Sequence, residues 1–185
     1  DKIIKYVDKI QSLRQSLAKK QESLRIYVGI EIDLGCSEGF VKDLVNPDDF
    51  DIILFEYLED FKGVEFIKEM IEHWRISTSK DGQLPIFGLA HFDPSCFLEE
   101  GLSELMSFLE SYAIYFEFNS RYPDYYSPEN GEFFEQLKEK KIAVAVGSDA
   151  HRLSRLNDLE GPVDMIQLYS LQENLKKLVR RLISL

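Results

Sequence analysis

Several residue types are scarce in this sequence of 185 residues, and each shortage argues against a class of protein. Its two cysteines, Cys36 and Cys96, are too few for a disulfide framework and favour a reducing, cytoplasmic location. No stretch approaches the roughly 18 uninterrupted apolar residues that a membrane-spanning helix needs. There is no internal repeat and no low-complexity segment. The 44% of hydrophobic residues is enough for one sizeable core, so a single domain is expected.

Positive charge is also in short supply, because 22 basic residues face 33 acidic ones and the net charge is −11. A field of that sign repels nucleic acids and anionic membranes, so neither is expected as a partner. An anionic substrate stays possible only where bound cations first neutralise the carboxylates. Acidic pockets therefore either hold metals or contain carboxyl groups with raised pKa values.

One pattern recurs along the sequence, in which a short apolar run ends in a carboxylate or an imidazole. The clearest example runs from Val144 to Gly147 and is followed by Asp149 and His151. Asp and His at this spacing, after a buried strand, are typical of sites for a divalent metal. The alternative is a turn in which Asp149 caps the next segment and His151 is solvated.

The same pattern occurs four more times, and the five runs predict strands near 25–32, 51–57, 85–91, 113–119 and 142–147. The four earlier runs end in the following polar residues: Glu31 and Asp33, Glu56, His91 and Asp93, and Glu117 and Asn119. Short apolar runs of this kind are typical of strands buried on both faces. Their repeated polar endings predict that the carboxyl ends of the strands converge on one pocket.

Helical periodicity separates the predicted strands. It predicts helices over Lys2–Lys20, Gly63–Trp74 and Leu102–Tyr112, and a further helix that starts at Ser127-Pro128. A capping box at 170–173 predicts one last helix, and the run 165–168 is a candidate sixth strand. Alternation of strands and helices indicates an α/β fold with a parallel sheet.

Four of the strand ends carry a resemblance to a known family. The segments Gly-Ile-Glu-Ile-Asp (29–33), Ala-His-Phe-Asp (90–93), Phe-Glu-Phe-Asn (116–119) and Gly-Ser-Asp-Ala-His (147–151) resemble successive motifs of the PHP superfamily, the polymerase and histidinol phosphatase family of metal-dependent phosphoesterases. The resemblance implies a distorted, TIM-like parallel βα barrel of about seven strands, with metals at the carboxyl ends. Residues 1–185 would then form a single PHP-like domain that contains the last five βα units, as an incomplete barrel.

The sequence also departs from the family. The family's two opening strands carry metal-binding histidines, whereas the histidines here are only His73, His91 and His151. We therefore expect that the first two βα units are absent, and that fewer metal ions bind. Where the family often has Ser-x-His, this chain has Glu56, and a carboxylate there favours manganese, iron or magnesium over zinc.

The resemblance implies a role for each polar strand end. It assigns divalent metal binding to six residues: Glu31, Glu56, His91, Glu117, Asp149 and His151. Glu31 would bridge two metals, and Glu117 would either bind a metal or orient a ligand. Glu31, Asp149 and His151 would form the catalytic group, in which a metal-activated water attacks phosphorus.

Two arginines follow directly after pocket motifs. Arg121 and Arg152 are candidates for binding the substrate phosphate, and the alternative is that both are ordinary surface residues.

Three functions stay open at this level. The first is hydrolysis of a small phosphorylated metabolite, the second is a non-catalytic binding or scaffold module, and the third is an amidohydrolase-like metal hydrolase. Metal stoichiometry separates the second from the first, and activity on amides against phosphate esters separates the third. The sequence does not identify the substrate or the oligomeric state.

Overall fold

The structure is a computed structural model that describes residues 2–20, 24–78 and 83–185. Its centre is one sheet of five strands in the order of the chain: β1 Gly29–Asp33, β2 Ile52–Glu56, β3 Ile86–Leu89, β4 Tyr115–Asn119 and β5 Val144–Gly147. Every neighbouring pair is parallel. The prediction of five parallel neighbouring strands is therefore confirmed.

Helices precede, connect and follow the strands. They are α1 Lys2–Lys19, α2 Glu38–Leu44, α3 Phe61–Ser77, α4 Leu102–Ser111, α5 Gly131–Glu139, α6 Glu160–Leu168 and α7 Gln172–Ile183. The α3 helix begins after Asp60, whose carboxylate accepts hydrogen bonds from the N–H groups of Lys62 and Gly63. The α/β class is confirmed, and a five-stranded parallel sheet with intervening helices is consistent with part of a βα barrel.

The main hydrophobic core packs against one face of the sheet, which we call the outer face, and the opposite face is the inner face. Ile53 and Phe55 of β2 and Phe116 and Phe118 of β4 are at most 1% exposed and belong to one large apolar cluster with the helices. Phe55 stacks on Trp74 of α3, with ring centroids 6.3 Å apart. Burial of these large aromatic side chains stabilises the fold.

The inner face is apolar only at the amino-terminal end of the strands. There Ile86 and Tyr115 pack with Leu178 of α7 in a second, smaller cluster. A Cβ atom at Gly88 would lie 2.4 Å from the Tyr115 ring, so only glycine fits beneath this ring. Towards the carboxyl ends, the residues on the same face become Glu31, Glu56 and other polar groups.

The strand β1 starts later than predicted. The backbone just before it is already bonded elsewhere, because the Ile26 carbonyl accepts from the Arg14 guanidinium and the Val28 N–H donates to the Asp51 carboxylate. The sheet ladder therefore begins at Gly29, which lies opposite Ile52.

Two predictions near the carboxyl terminus are wrong. The run 165–168 is the end of α6, because a short apolar run cannot be distinguished from a buried helix by periodicity alone. The capping box does not form either, since Ser170 has a left-handed φ of 54° and α7 begins after the buried Leu171 without a side-chain cap. The Leu171 N–H donates instead to the Ile166 carbonyl, which fixes a tight turn between α6 and α7.

In the described ranges, none of the helices has the length and apolar character needed to cross a bilayer.

Candidate metal centre

Three polar side chains meet where β1, β2 and β3 end. Glu31, Glu56 and His91 each offer a ligand atom, and these atoms all lie within 4.8 Å of one another. Nε2 of His91 lies 3.5 Å from a carboxylate oxygen of Glu56. Glu31 is exposed, Glu56 is half-buried and His91 is buried, so the cluster opens to solvent on the β1 side.

The electrostatics of this cluster suit a cation. Burial, and next the negative charge of Glu31, raise the pKa of Glu56 above its ordinary value, while His91 acts in the opposite direction. Two carboxylates this close repel each other unless a positive charge lies between them. Two carboxylate oxygens and one imidazole nitrogen fit manganese, iron or zinc, and magnesium accepts the oxygen-rich part of this set.

The ring of His91 is held between aromatic side chains. It stacks on Tyr122 with centroids 4.5 Å apart and meets Tyr57 edge-on at 5.8 Å. Its backbone has a left-handed φ of 33°, and its N–H donates to a Glu117 carboxylate oxygen at 3.4 Å. Packing and this hydrogen bond together fix where the imidazole lies before any ligand binds.

Glu117 lies behind the cluster. Its carboxylate also accepts from the Asn119 amide at 2.9 Å, and burial is the main cause of its raised pKa. A Cβ at residue 147 would lie 2.0 Å from a Glu117 oxygen, so Gly147 is required for this carboxylate to fit. Through these contacts Glu117 lies against the backbone of His91 and the side chain of Asn119.

Asp149 and His151 form a neighbouring group at the end of β5. Asp149 accepts from the Arg121 guanidinium at 2.9 Å, and its other oxygen lies 3.0 Å from Nε2 of His151. The short helical turn Leu153–Arg155 that follows has no side-chain cap, so Asp149 does not cap it. The negative charge of Asp149 is the smallest of the contributions that raise the pKa of Glu56, after burial and the charges of Glu31 and Asp33.

A cavity of about 400 Å³ opens beside Asp149. It is lined by Ser120, Arg121, Ser148, Asp149, His151, Arg152, Arg155 and Asp158. Both arginines predicted to bind phosphate therefore line one cavity, together with Arg155, which the sequence reasoning missed. Three arginines and two aspartates line this cavity in a protein that is otherwise strongly acidic, and Arg121 pairs with Asp149 while Arg155 pairs with Asp158.

A second cavity, of about 470 Å³, lies on the β1–β2 side and has the opposite charge. Its charged lining consists of Asp33, Glu38, Glu59, Asp60 and Lys62, and Tyr57 also lines it. The cavity at the end of β5 is therefore rich in cations, whereas the cavity on the β1–β2 side is rich in carboxylates.

Backbone strain concentrates at these strand ends. In the described chain, six non-glycine residues have positive φ, and three of them, Tyr57, His91 and Asp149, directly follow or lie just beyond β2, β3 and β5. The other three come just after helices, where left-handed residues are common. A bulky residue in this region costs about 1–3 kcal/mol, and such strain clusters at functional sites.

In the structure, the predicted site residues fall into two neighbouring groups. It brings Glu31, Glu56 and His91 within ligand distance and places Glu117 against His91. It puts Asp149 and His151 in the adjoining group with Arg121. The sequence reasoning missed Tyr57 and Tyr122, although each directly follows a residue that it had singled out.

A scan against protein-family models, a search of curated proteins and a search of solved structures each returned no significant match.

Proposed function

We propose that this chain is a metal-dependent phosphoesterase of the PHP superfamily that hydrolyses a small phosphorylated metabolite. The observation that carries the proposal is the Glu31–Glu56–His91 cluster, whose ligand atoms lie within 4.8 Å of one another at the carboxyl ends of parallel strands. The neighbouring cavity supplies guanidinium groups that can bind a phosphate. The net charge of −11 would otherwise disfavour binding of an anion.

Each group has a part in this chemistry. Glu31, Glu56 and His91 would hold a divalent cation, which supplies charge neutralisation at phosphoryl oxygens and activation of water. Arg121 keeps one guanidinium nitrogen on Asp149 and can turn its other N–H groups towards a phosphate. Asp149 also holds the exposed imidazole of His151 at the rim of the same cavity.

The test measures hydrolysis and metal binding together. Purified protein is assayed against a panel of phosphate esters and amides, with manganese, iron, zinc or magnesium, and with a chelator. We expect metal-dependent release of phosphate and no cleavage of amides. Amide cleavage without phosphate release would favour the amidohydrolase-like alternative and would overturn the proposal.

A matched pair of histidine variants connects the activity to the cluster. His91→Gln should lose most metal binding and activity, whereas His73→Gln should keep both, since His73 is exposed on α3. Equal losses in the two variants, or none in either, would contradict the proposed metal centre.

The second candidate is a non-catalytic module that binds a metal and an anion. One observation favours it: Asp149 is already engaged by Arg121 and His151 rather than lying in the three-residue cluster. This candidate predicts metal and phosphate binding by calorimetry, with no turnover of any ester in the panel.

A further inference from the structure

Tyr57 is the most unusual aromatic residue near the candidate metal centre. It directly follows Glu56, and the residue is 57% exposed although its ring is large and mostly apolar. Its φ of 63° lies in the left-handed region, which a bulky side chain occupies only when the surrounding structure requires it. The ring of Tyr57 is therefore exposed to solvent next to Glu56, and its backbone conformation is strained.

The other rings of this region are already used. Tyr122 stacks on His91 at 4.5 Å and on Tyr125 at 5.3 Å, with the two tyrosine planes only 8° apart. Tyr57 meets the His91 ring edge-on, and this is its one aromatic contact in the described chain. Tyr57 consequently has ring surface free for a ligand.

The two cavities at this edge of the sheet differ in charge, and this difference would orient a bound phosphate ester. Arg121, Arg152 and Arg155 line the cavity near β5, where a phosphate is favoured. Tyr57 lines the cavity near β1, whose carboxylates disfavour an anion. A phosphate ester whose phosphoryl group faces the arginines would direct its leaving group towards Tyr57.

We propose that Tyr57 is a specificity-determining residue, which stacks on a planar, uncharged leaving group and so favours aryl-type phosphate esters over esters of aliphatic alcohols. This inference rests on the proposed phosphoesterase function, because it describes how that same site selects its substrate. Stacking of two rings is favourable beyond simple burial of apolar area, which gives a planar group an advantage over a saturated one of equal size.

The test uses two ligands that differ only in the ring. Benzylphosphonate and cyclohexylmethylphosphonate carry a CH₂ group in place of the ester oxygen, so neither can be hydrolysed at that bond. Their dissociation constants are measured by calorimetry in the presence of manganese. We expect wild-type protein to prefer the benzyl compound by about two- to tenfold.

Two variants attribute the preference to the ring of Tyr57. Tyr57→Leu keeps apolar bulk but removes the ring, and should bring the ratio of the two dissociation constants close to one. Tyr57→Phe keeps the ring and should retain the wild-type ratio. Tyr112→Leu is the control at the opposite end of the sheet, where Tyr112 follows α4, and it should leave the ratio unchanged.

The outcomes separate this inference from the proposed function. Equal binding of the two phosphonates to wild-type protein, no binding of either, or a ratio that persists in Tyr57→Leu would overturn the role of Tyr57. Phosphoesterase activity on esters would then stand by itself. Conversely, the protein could bind the benzyl compound selectively through Tyr57 and yet hydrolyse none of the phosphate esters. That result would support the aromatic subsite and refute the proposed phosphoesterase activity.

Discussion

The two faces of the central sheet differ in what they contribute. Phe116 and Phe118 of β4 point outwards, are at most 1% exposed and pack with the rings of α5. Glu117, which lies between them in the same strand, points inwards, and burial raises its pKa. One strand thus presents a stabilising apolar surface on one side and a costly carboxylate on the other.

This difference indicates which parts of the sheet stabilise the fold and which parts destabilise it. The outer face buries large apolar side chains, whereas the carboxyl end of the inner face gathers like charges and left-handed residues such as His91 and Asp149. Neither clustered carboxylates nor backbone strain helps folding. Such combinations of clustered charge and backbone strain are typical of functional sites.

The largest effect is expected on the outer face. Phe116→Ala should lower the free energy of unfolding by about 3–5 kcal/mol, because it leaves a cavity among the rings that surround Phe116. Chemical denaturation measures the change. Ile76→Ala, at a residue 88% exposed, is the control and should shift stability by no more than about 0.5 kcal/mol. A small loss for Phe116→Ala would contradict the difference between the faces.

The next largest effect is expected at the end of β5. Asp149→Asn should reduce the phosphoesterase kcat/KM by about a hundredfold or more, which corresponds to about 2.7 kcal/mol. Asparagine keeps an oxygen for Arg121 but loses the charge that favours cations in the site. The melting temperature should stay equal or rise slightly. Full activity in the variant would remove Asp149 from the site, and a large fall in melting temperature would show a structural role instead.

A smaller effect is expected for metal binding at β2. Glu56→Gln should weaken manganese binding by roughly tenfold to a hundredfold, because substitutions of residues that support a metal site typically reduce metal affinity by this factor. Calorimetric titration of the metal-free protein with manganese provides the measurement. Glu104→Gln on α4, an exposed residue, is the matched control and should bind manganese as the wild type does. Unchanged affinity in Glu56→Gln would exclude this carboxylate as a ligand.

The smallest effect concerns pH and Glu117. Its pKa is raised in the folded protein, mainly by burial, so the folded state binds more protons than the unfolded state between the ordinary value of 4.5 and the raised pKa. Within that window, this residue makes the free energy of unfolding fall as pH rises. Glu117→Gln should remove that contribution.

Thermal melts of the metal-free protein with a chelator present, at several pH values, test this expectation. The stability of Glu117→Gln relative to wild type should increase with pH across the window and then level off. A difference that stays constant with pH would contradict the raised pKa of Glu117.

The sequence predicted the sheet because local patterns carried the information. Short apolar runs separated by amphipathic helices indicate parallel strands in any chain, and the five strands lie where these runs occur. The same local information failed at 165–168, where a run of this length fits a helix as well as a strand. It also failed at Ser170, since the tight turn between α6 and α7 gives Ser170 a left-handed φ and overrides the capping pattern.

For the site, the sequence by itself determined which polar groups lie at the carboxyl ends of the strands, because strand direction and residue order fix that. Only the tertiary structure decided how these groups divide: Glu31, Glu56 and His91 meet each other, whereas Asp149 turns to Arg121 and His151. It alone also placed the exposed ring of Tyr57 beside His91. The physical reason is that side-chain partners depend on distances between different strands and on left-handed backbone angles, and neither leaves a trace in local hydrophobic periodicity.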